Sequence, residues 1–185
     1  MTPPIEDVPE KIDGEHDTVT AAMVASLPLL ALYPNLRQTG WAVFDARTHG
    51  GARVPLLATS GTAGPGLRTK VEPSERVSHQ LRDLAFLVAQ RRPRCIVCSW
   101  PGGMNWGAAG MRDLEQDLCQ WARESGLPIA SYPAPQVRAA IAGKPNASKD
   151  SLAYSVMSRL NMIGQHRSAS EWEAIAVGFH HLRAN

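Results

Sequence analysis

The run Cys95-Ile96-Val97-Cys98 sits between Pro93 and the segment Ser99-Trp100-Pro101-Gly102-Gly103, with a helical pattern on either side. A short apolar segment without alternation reads as a central strand covered on both faces, which places the chain in a layered α/β class. The upstream helical pattern spans Pro73 to Gln90, with Val77, Leu81, Leu84, Ala85 and Val88 at helical spacing and Ser74 as the expected cap. The downstream one, Ala108 to Glu124, carries Met111, Leu114, Leu118 and Trp121 on one face and ends at Gly126-Leu127-Pro128.

Three further apolar runs precede these elements: Leu27 to Tyr33, Thr39 to Asp45 and Arg53 to Thr59. Their short connections, Pro34 to Gln38 and Ala46 to Ala52, predict an antiparallel meander rather than helical crossovers. Gly61 to Gly66 reads as a flexible connection, because it lacks the spacing of a phosphate-cradling loop. After the central strand and the second helix come a strand at Ile129 to Tyr132 and helices at Gln136 to Ala142, Lys149 to Leu160 and Glu171 to Leu182. The element order is βββ-α-β-α-β-α, with short helices inserted before the last one.

With 185 residues, 44% of them hydrophobic, the chain can bury one ordinary core. Residues 1–24 hold six acids (Glu6, Asp7, Glu10, Asp13, Glu15, Asp17) against Lys11 and few large apolar side chains. They read as a disordered acidic tail ahead of one domain, 25–185. The chain's net charge of +2 is therefore the sum of an acidic start and a basic remainder, which favours a polyanionic partner. No apolar run reaches the roughly 18 to 20 residues of a membrane span. The start also lacks a basic region followed by an apolar one, so the expected location is cytoplasmic. Cys95 and Cys98 match a C-x-x-C pair, yet strand alternation points them to opposite faces, so buried reduced thiols are expected.

Four segments resemble the RuvC-type Holliday junction resolvases of the ribonuclease H-like superfamily, over about Leu27 to His181. Leu30 to Val43, containing Tyr33-Pro34-Asn35 and Thr39-Gly40-Trp41, is similar to the family's opening strand, Asp-Pro-Gly and Thr-Gly-Trp/Tyr-Gly-Val. Pro93 to Ser99 resembles the strand that ends in the family's catalytic Glu. Gln136-Val137-Arg138 through Gly143 to Lys149 resembles its Gln-Val-Lys…Gly…Lys segment. Ser170 to His181 resembles the last helix, Asp-x-x-Asp-Ala-x-Ala-x-Ala.

The resemblance implies an α/β ribonuclease H-like fold with a mixed five-stranded sheet, a three-stranded antiparallel meander plus two parallel strands, flanked by helices. It also implies that Tyr33, Ser99 and Ser170 stand at family acid positions and that only Glu173 keeps a carboxylate. Two divalent ions about 4 Å apart need several converging carboxylates, so no metal and no cofactor is expected, Mg²⁺ applying only to an active nuclease with relocated ligands. Asp45, Asp150 and Glu171 are the nearest spare acids, but they suit a turn and two helix starts. Tyr33 is expected to plug the vacated site, since no Arg/His pattern marks it as a nucleophile. His180-His181 lie about 100° apart on a helix and make a poor metal pair.

The basic side of the site is better kept. Arg37, Arg138, Lys144, Lys149, Arg159 and Arg167 are expected to face phosphates around the cleft, and Asn105 and Trp106 to meet a base. The expected function is a non-catalytic, RuvC-like nucleic-acid-binding protein, DNA being the favoured ligand, within a larger assembly. The alternatives are a protein-interaction scaffold and an active Mg²⁺-dependent junction endonuclease. A homodimer or another protein partner fits either binding role.

Overall fold

Strand β1, Leu29–Tyr33, is buried along its whole length at the middle of the sheet. The computed structural model describes residues 25–49, 52–65, 71–101 and 110–184. The expected tail, 1–24, lies outside them. β2 (Thr39–His49) pairs antiparallel with β1, and β3 (Ala52–Ala63) pairs antiparallel with β2. β4 (Cys95–Trp100) and β5 (Ile129–Pro133) add in parallel on the other side, giving the order β3-β2-β1-β4-β5. This is the mixed five-stranded sheet expected from the sequence.

The helices are α1 (Pro73–Arg91), α2 (Met111–Glu124), α3 (Ala134–Ala142), α4 (Lys149–Arg159) and α5 (Ala169–Ala184). α1 and α2 cover one sheet face, where Leu84, Leu114 and Leu118 meet Leu30, Leu32, Ile96 and Cys98. α3, α4 and α5 cover the other, where Val137, Val156 and Ile175 meet Leu29, Ala31 and Val97. Trp172 to Gly178 of α5 are all buried, because this helix lies between the sheet and α3–α4. Strand alternation sends Tyr33 to the α5 side together with Leu29 and Ala31.

Several details differ from the expectation. β2 and β3 run beyond Asp45 and Thr59, so Ala46 to Ala52 is mostly strand and Gly61 is paired with Trp41 rather than looped. A side chain at Gly61 would meet the Trp41 indole at 2.6 Å, so the glycine there serves close approach within the ladder. α1 starts at Pro73 after Glu72, and Ser74 supplies no cap; proline at the first helical position needs no partner for an N–H it lacks. On α1, Ala85 is exposed, while Gln80 and Leu87 are buried.

Cys95 and Cys98 take opposite sheet faces, and burial pushes both thiols up. Among the described residues, no helix is long and apolar enough to cross a membrane.

Candidate nucleic-acid site at the ends of the parallel strands

The site begins with the turn between β1 and β2. Asn35 Oδ1 accepts the backbone N–H groups of Arg37 (3.0 Å) and Gln38 (3.2 Å), which closes an Asx turn. The turn is tied to α1 through Gln80, whose Nε2 donates to the Asn35 carbonyl at 3.2 Å and whose Oε1 accepts from Thr39 Oγ1 at 2.7 Å. It is tied to α5 through Asn35 Nδ2, which donates to Ser170 Oγ at 3.3 Å. Changing Gln80 to Ala strands the buried Thr39 hydroxyl, an expected loss of about 1 to 3 kcal/mol measurable by urea denaturation. A Thr39→Val/Gln80→Leu pair that is as destabilised as the single variant contradicts this origin.

α5 starts with a reciprocal cap. Ser168 Oγ accepts the Glu171 N–H at 3.2 Å, and Glu171 Oε2 accepts the Ser168 N–H at 2.9 Å. Glu171 also receives Ser60 Oγ at 3.0 Å and lies 3.7 Å from Arg167. It is therefore occupied as a structural acid at a helix start. Asp150 is exposed in the first turn of α4, and Asp45 is exposed and accepts the Ala46 N–H at 2.7 Å.

One turn into α5, Glu173 is 1% exposed and forms an ion pair with Arg138 of α3. Tyr33, at the end of β1, adjoins both. Burial and the Glu173 charge push its phenol up to about 12, against a smaller opposing pull from the Arg138 guanidinium. An arginine thus stands beside the tyrosine, contrary to the sequence reading, but the net effect keeps the phenol protonated. Ser99, at the end of β4, is fully buried. Among the described residues, Ser99 Oγ, Glu173 Oε2 and Arg138 Nε are buried without a hydrogen-bond partner.

The raised Tyr33 value fixes the sign of a pH effect. The unfolded phenol ionises near its ordinary 10.0 and the folded one only near 12, so this residue's contribution to stability is intact below pH 10 and is lost as pH rises to about 12. Absorbance titration should show a late-ionising tyrosine that disappears in Tyr33→Phe. Identical titration of both proteins rules the assignment out.

A cavity of about 470 Å³ opens beside this cluster, at the carboxyl ends of β1 and β4. Tyr33, Ser170 and Glu173 line it, as do Arg37 and Lys149, whose side chains are exposed. The structure therefore brings five of the sequence-derived positions together around one opening. Ser99 and Arg138 do not line it; Arg138 is instead engaged with Glu173, so its charge is already countered. Lys144 is exposed in the turn after α3 and Arg159 at the end of α4, both away from the cavity lining. Arg167 is held by Ser60, Gln165 and Glu171. Asn105 and Trp106 lie outside the described residues.

The sequence reading gave no role at the site to Leu36, Gln38, Pro101, Met111, Ser168 and Ala169, which together with Asn35 complete the lining. The signal available was Gln80, a polar residue in the apolar stripe of α1 that marks where the turn is fastened. On β5, where Tyr132 pairs with Ser99, Tyr132 Oη and His181 Nδ1 lie 2.9 Å apart, and His180 packs edge-on against the same ring. These histidines form part of an aromatic contact.

The donor set does not fit a pair of divalent cations. Glu173 has one oxygen bound to a guanidinium, Tyr33 is a neutral phenol, and Ser99 and Ser170 offer neutral hydroxyls. Among the described residues, no three His, Cys, Asp or Glu side chains converge in a way that could hold a metal ion.

Sheet order, helix placement and a cavity beyond the ends of the parallel strands define a ribonuclease H-like α/β domain. No family model matches the sequence. The crossover junction endodeoxyribonuclease RuvC of Maricaulis maris is 26% identical over 167 residues, spanning 88% of this chain and 96% of that protein. The enzyme of the same name from Methylocella silvestris is 27% identical over 168 residues, 87% of this chain and 90% of that one. Thermus thermophilus RuvC, in a structure with Holliday junction substrate, superposes with a TM-score of 0.67 at 19% identity, over 84% of this chain and 93% of that one. The chain is thus similar to proteins named RuvC along most of its length, and shares their fold.

Proposed function

We propose that this chain is a non-catalytic, RuvC-like nucleic-acid-binding protein acting as a subunit of a larger assembly, with residues 25–185 as its binding domain and 1–24 as an acidic tail. The observation that carries the reading is the Arg138 guanidinium held on Glu173, the one family acid position here that has a carboxylate. A cation belonging to the protein stands where carboxylates would otherwise share a metal ion. Around the opening, Arg37 and Lys149 remain exposed and in reach of a phosphate backbone. The relatives named as crossover junction endodeoxyribonucleases, and the Thermus thermophilus protein in complex with Holliday junction substrate, make DNA the favoured ligand.

Affinity for four-way junctions and for duplex DNA, measured across a salt series, tests this. Binding should weaken steeply with salt, and Arg37→Ala and Lys149→Ala should each reduce the slope of log affinity against log salt by about 1. Absence of binding at low ionic strength ends the proposal. Strand cleavage with Mg²⁺ or Mn²⁺ that Glu173→Gln abolishes would instead establish the active-nuclease reading.

A protein-interaction role has one observation in its favour. A largely apolar groove of about 440 Å³ is lined by Phe44, Val54, Leu56, Leu160, Met162 and Phe179 among others, with Leu56 44% exposed. Function retained after charge reversal at Arg37 and Lys149 would favour that scaffold role.

A further inference from the structure

The chain enters the domain along Arg94. The Arg94 backbone N–H donates to the Pro28 carbonyl at 2.7 Å and its Nη1 to the Ala25 carbonyl at 3.3 Å, while Cys95 Sγ donates to the Ser26 carbonyl at 3.3 Å. Residues 25–28 are thereby fixed against the start of β4, at the end of the sheet opposite the cavity. β4 runs from Cys95 to Trp100, so at roughly 3.3 Å per residue the two ends stand about 20 Å apart.

Three exposed arginines gather at this entry point: Arg91 in the last turn of α1, Arg92 at its cap, and Arg94 beyond the buried Pro93. Consecutive Cα atoms lie about 3.8 Å apart, so the three side chains issue from one corner. Among the described residues, none of the three pairs with a carboxylate. Like charges this close repel one another, and the negative end of the α1 dipole offsets that only in part, so the corner favours an anionic partner.

The sequence carries the opposite charge directly ahead of Ala25, with Glu6, Asp7, Glu10, Asp13, Glu15 and Asp17 against Lys11. Asp17 precedes Ala25 by a stretch that spans at most about 29 Å, whatever path it takes. Confinement to such a radius corresponds to an effective concentration in the millimolar range, far above that of any free polyanion present at micromolar level. We infer that the acidic run, residues 6–17, docks on Arg91, Arg92 and Arg94 of its own chain and shields this face from other polyanions. The shielding rests on the nucleic-acid reading above: a strand is then left with the cations at the cavity end, Arg37 and Lys149.

The test compares the full chain with a full-length variant whose six acids are amides (Glu6→Gln, Asp7→Asn, Glu10→Gln, Asp13→Asn, Glu15→Gln and Asp17→Asn). In nitrogen-15 NMR spectra at low salt, the side-chain Nε–H signals of Arg91, Arg92 and Arg94 should differ between the two proteins. The difference should shrink by more than half at 1 M salt, where charges are screened beyond roughly 3 Å, and should not change on tenfold dilution. Superimposable arginine signals, or a difference that resists salt, overturn the docking. A difference that fades on dilution means that the run reaches a second copy, which overturns docking within one chain.

A salt series with duplex DNA tests the shielding. The six-amide variant should show a slope of log affinity against log salt steeper by about 2 to 3, close to one phosphate for each uncovered arginine. Adding Arg91→Gln and Arg92→Asn should cut that gain to about 1 or less; asparagine suits the left-handed backbone of Arg92, where φ is 47°. A gain that persists in full without those two arginines overturns shielding by this face. A chain that binds no DNA in any form sinks the nucleic-acid reading, while the arginine signals still decide the docking.

Discussion

Arg138→Met should lower the stability of the fold by about 3 to 5 kcal/mol, the cost of leaving a buried charge without its partner. The methionine roughly keeps the volume of the arginine stem, so the loss isolates the charge rather than the packing. Glu173 is 1% exposed and the Arg138 side chain 21% exposed, so neither water nor salt can take over the role of the guanidinium easily. The second variant, Arg138→Met/Glu173→Leu, removes both charges and should recover most of the loss, because a buried pair is worth little against an apolar pair of similar volume. Urea denaturation of the four proteins completes the cycle. A single-variant loss below about 1 kcal/mol would be that of a solvent-screened surface pair and would remove Arg138 from its assigned place.

The second large effect is expected at Gly40, which pairs with Tyr33 across the first two strands. A Cβ there would lie inside the Ser170 carbonyl group and 2.8 Å from Ser170 Cβ. Backbone on both sides cannot rotate away, so Gly40→Ala must push the start of α5 off the sheet. Overpacking of a well-filled interior costs about 1 to 3 kcal/mol and sometimes more, and the upper end applies where the obstacle is main chain. The displacement also carries Glu173 away from Tyr33, so the phenol should titrate below its value of about 12, back toward 10.0. A variant with an unchanged melting temperature and an unchanged tyrosine titration would show that α5 does not rest on Gly40.

The layered fold was readable because its signals are local and redundant. Leu29 to Tyr33 and Cys95 to Cys98 are apolar without interruption and became the two middle parallel strands, while the Met111, Leu114 and Leu118 stripe became the buried face of α2. Strand ends were less readable, since the β2–β3 ladder continues through polar residues such as Asp45 and Thr48, where hydrogen bonding between neighbours outweighs composition. Ala85 and Gln80 show the same limit on α1: hydrophobicity favours the alanine, yet the glutamine is buried because the β1–β2 turn supplies its partners. At the site, the family register named Tyr33, Ser99, Ser170 and Glu173, of which all but Ser99 line one cavity. What it missed is that Arg138 turns inward. A charge 35 residues from its partner in sequence carries no local mark of being an internal counterion.

The clasp between α3 and α5 also restricts which single substitutions the chain tolerates. An aspartate appearing at position 33 by a single change would be drawn to the guanidinium already seated on Glu173, making a three-membered charge cluster rather than a cradle for ions. Loss of Arg138 alone would first weaken the fold. Exchanging both members of the pair at once, so that neither charge is left alone in the interior, is the route by which this part of the molecule can vary without loosening.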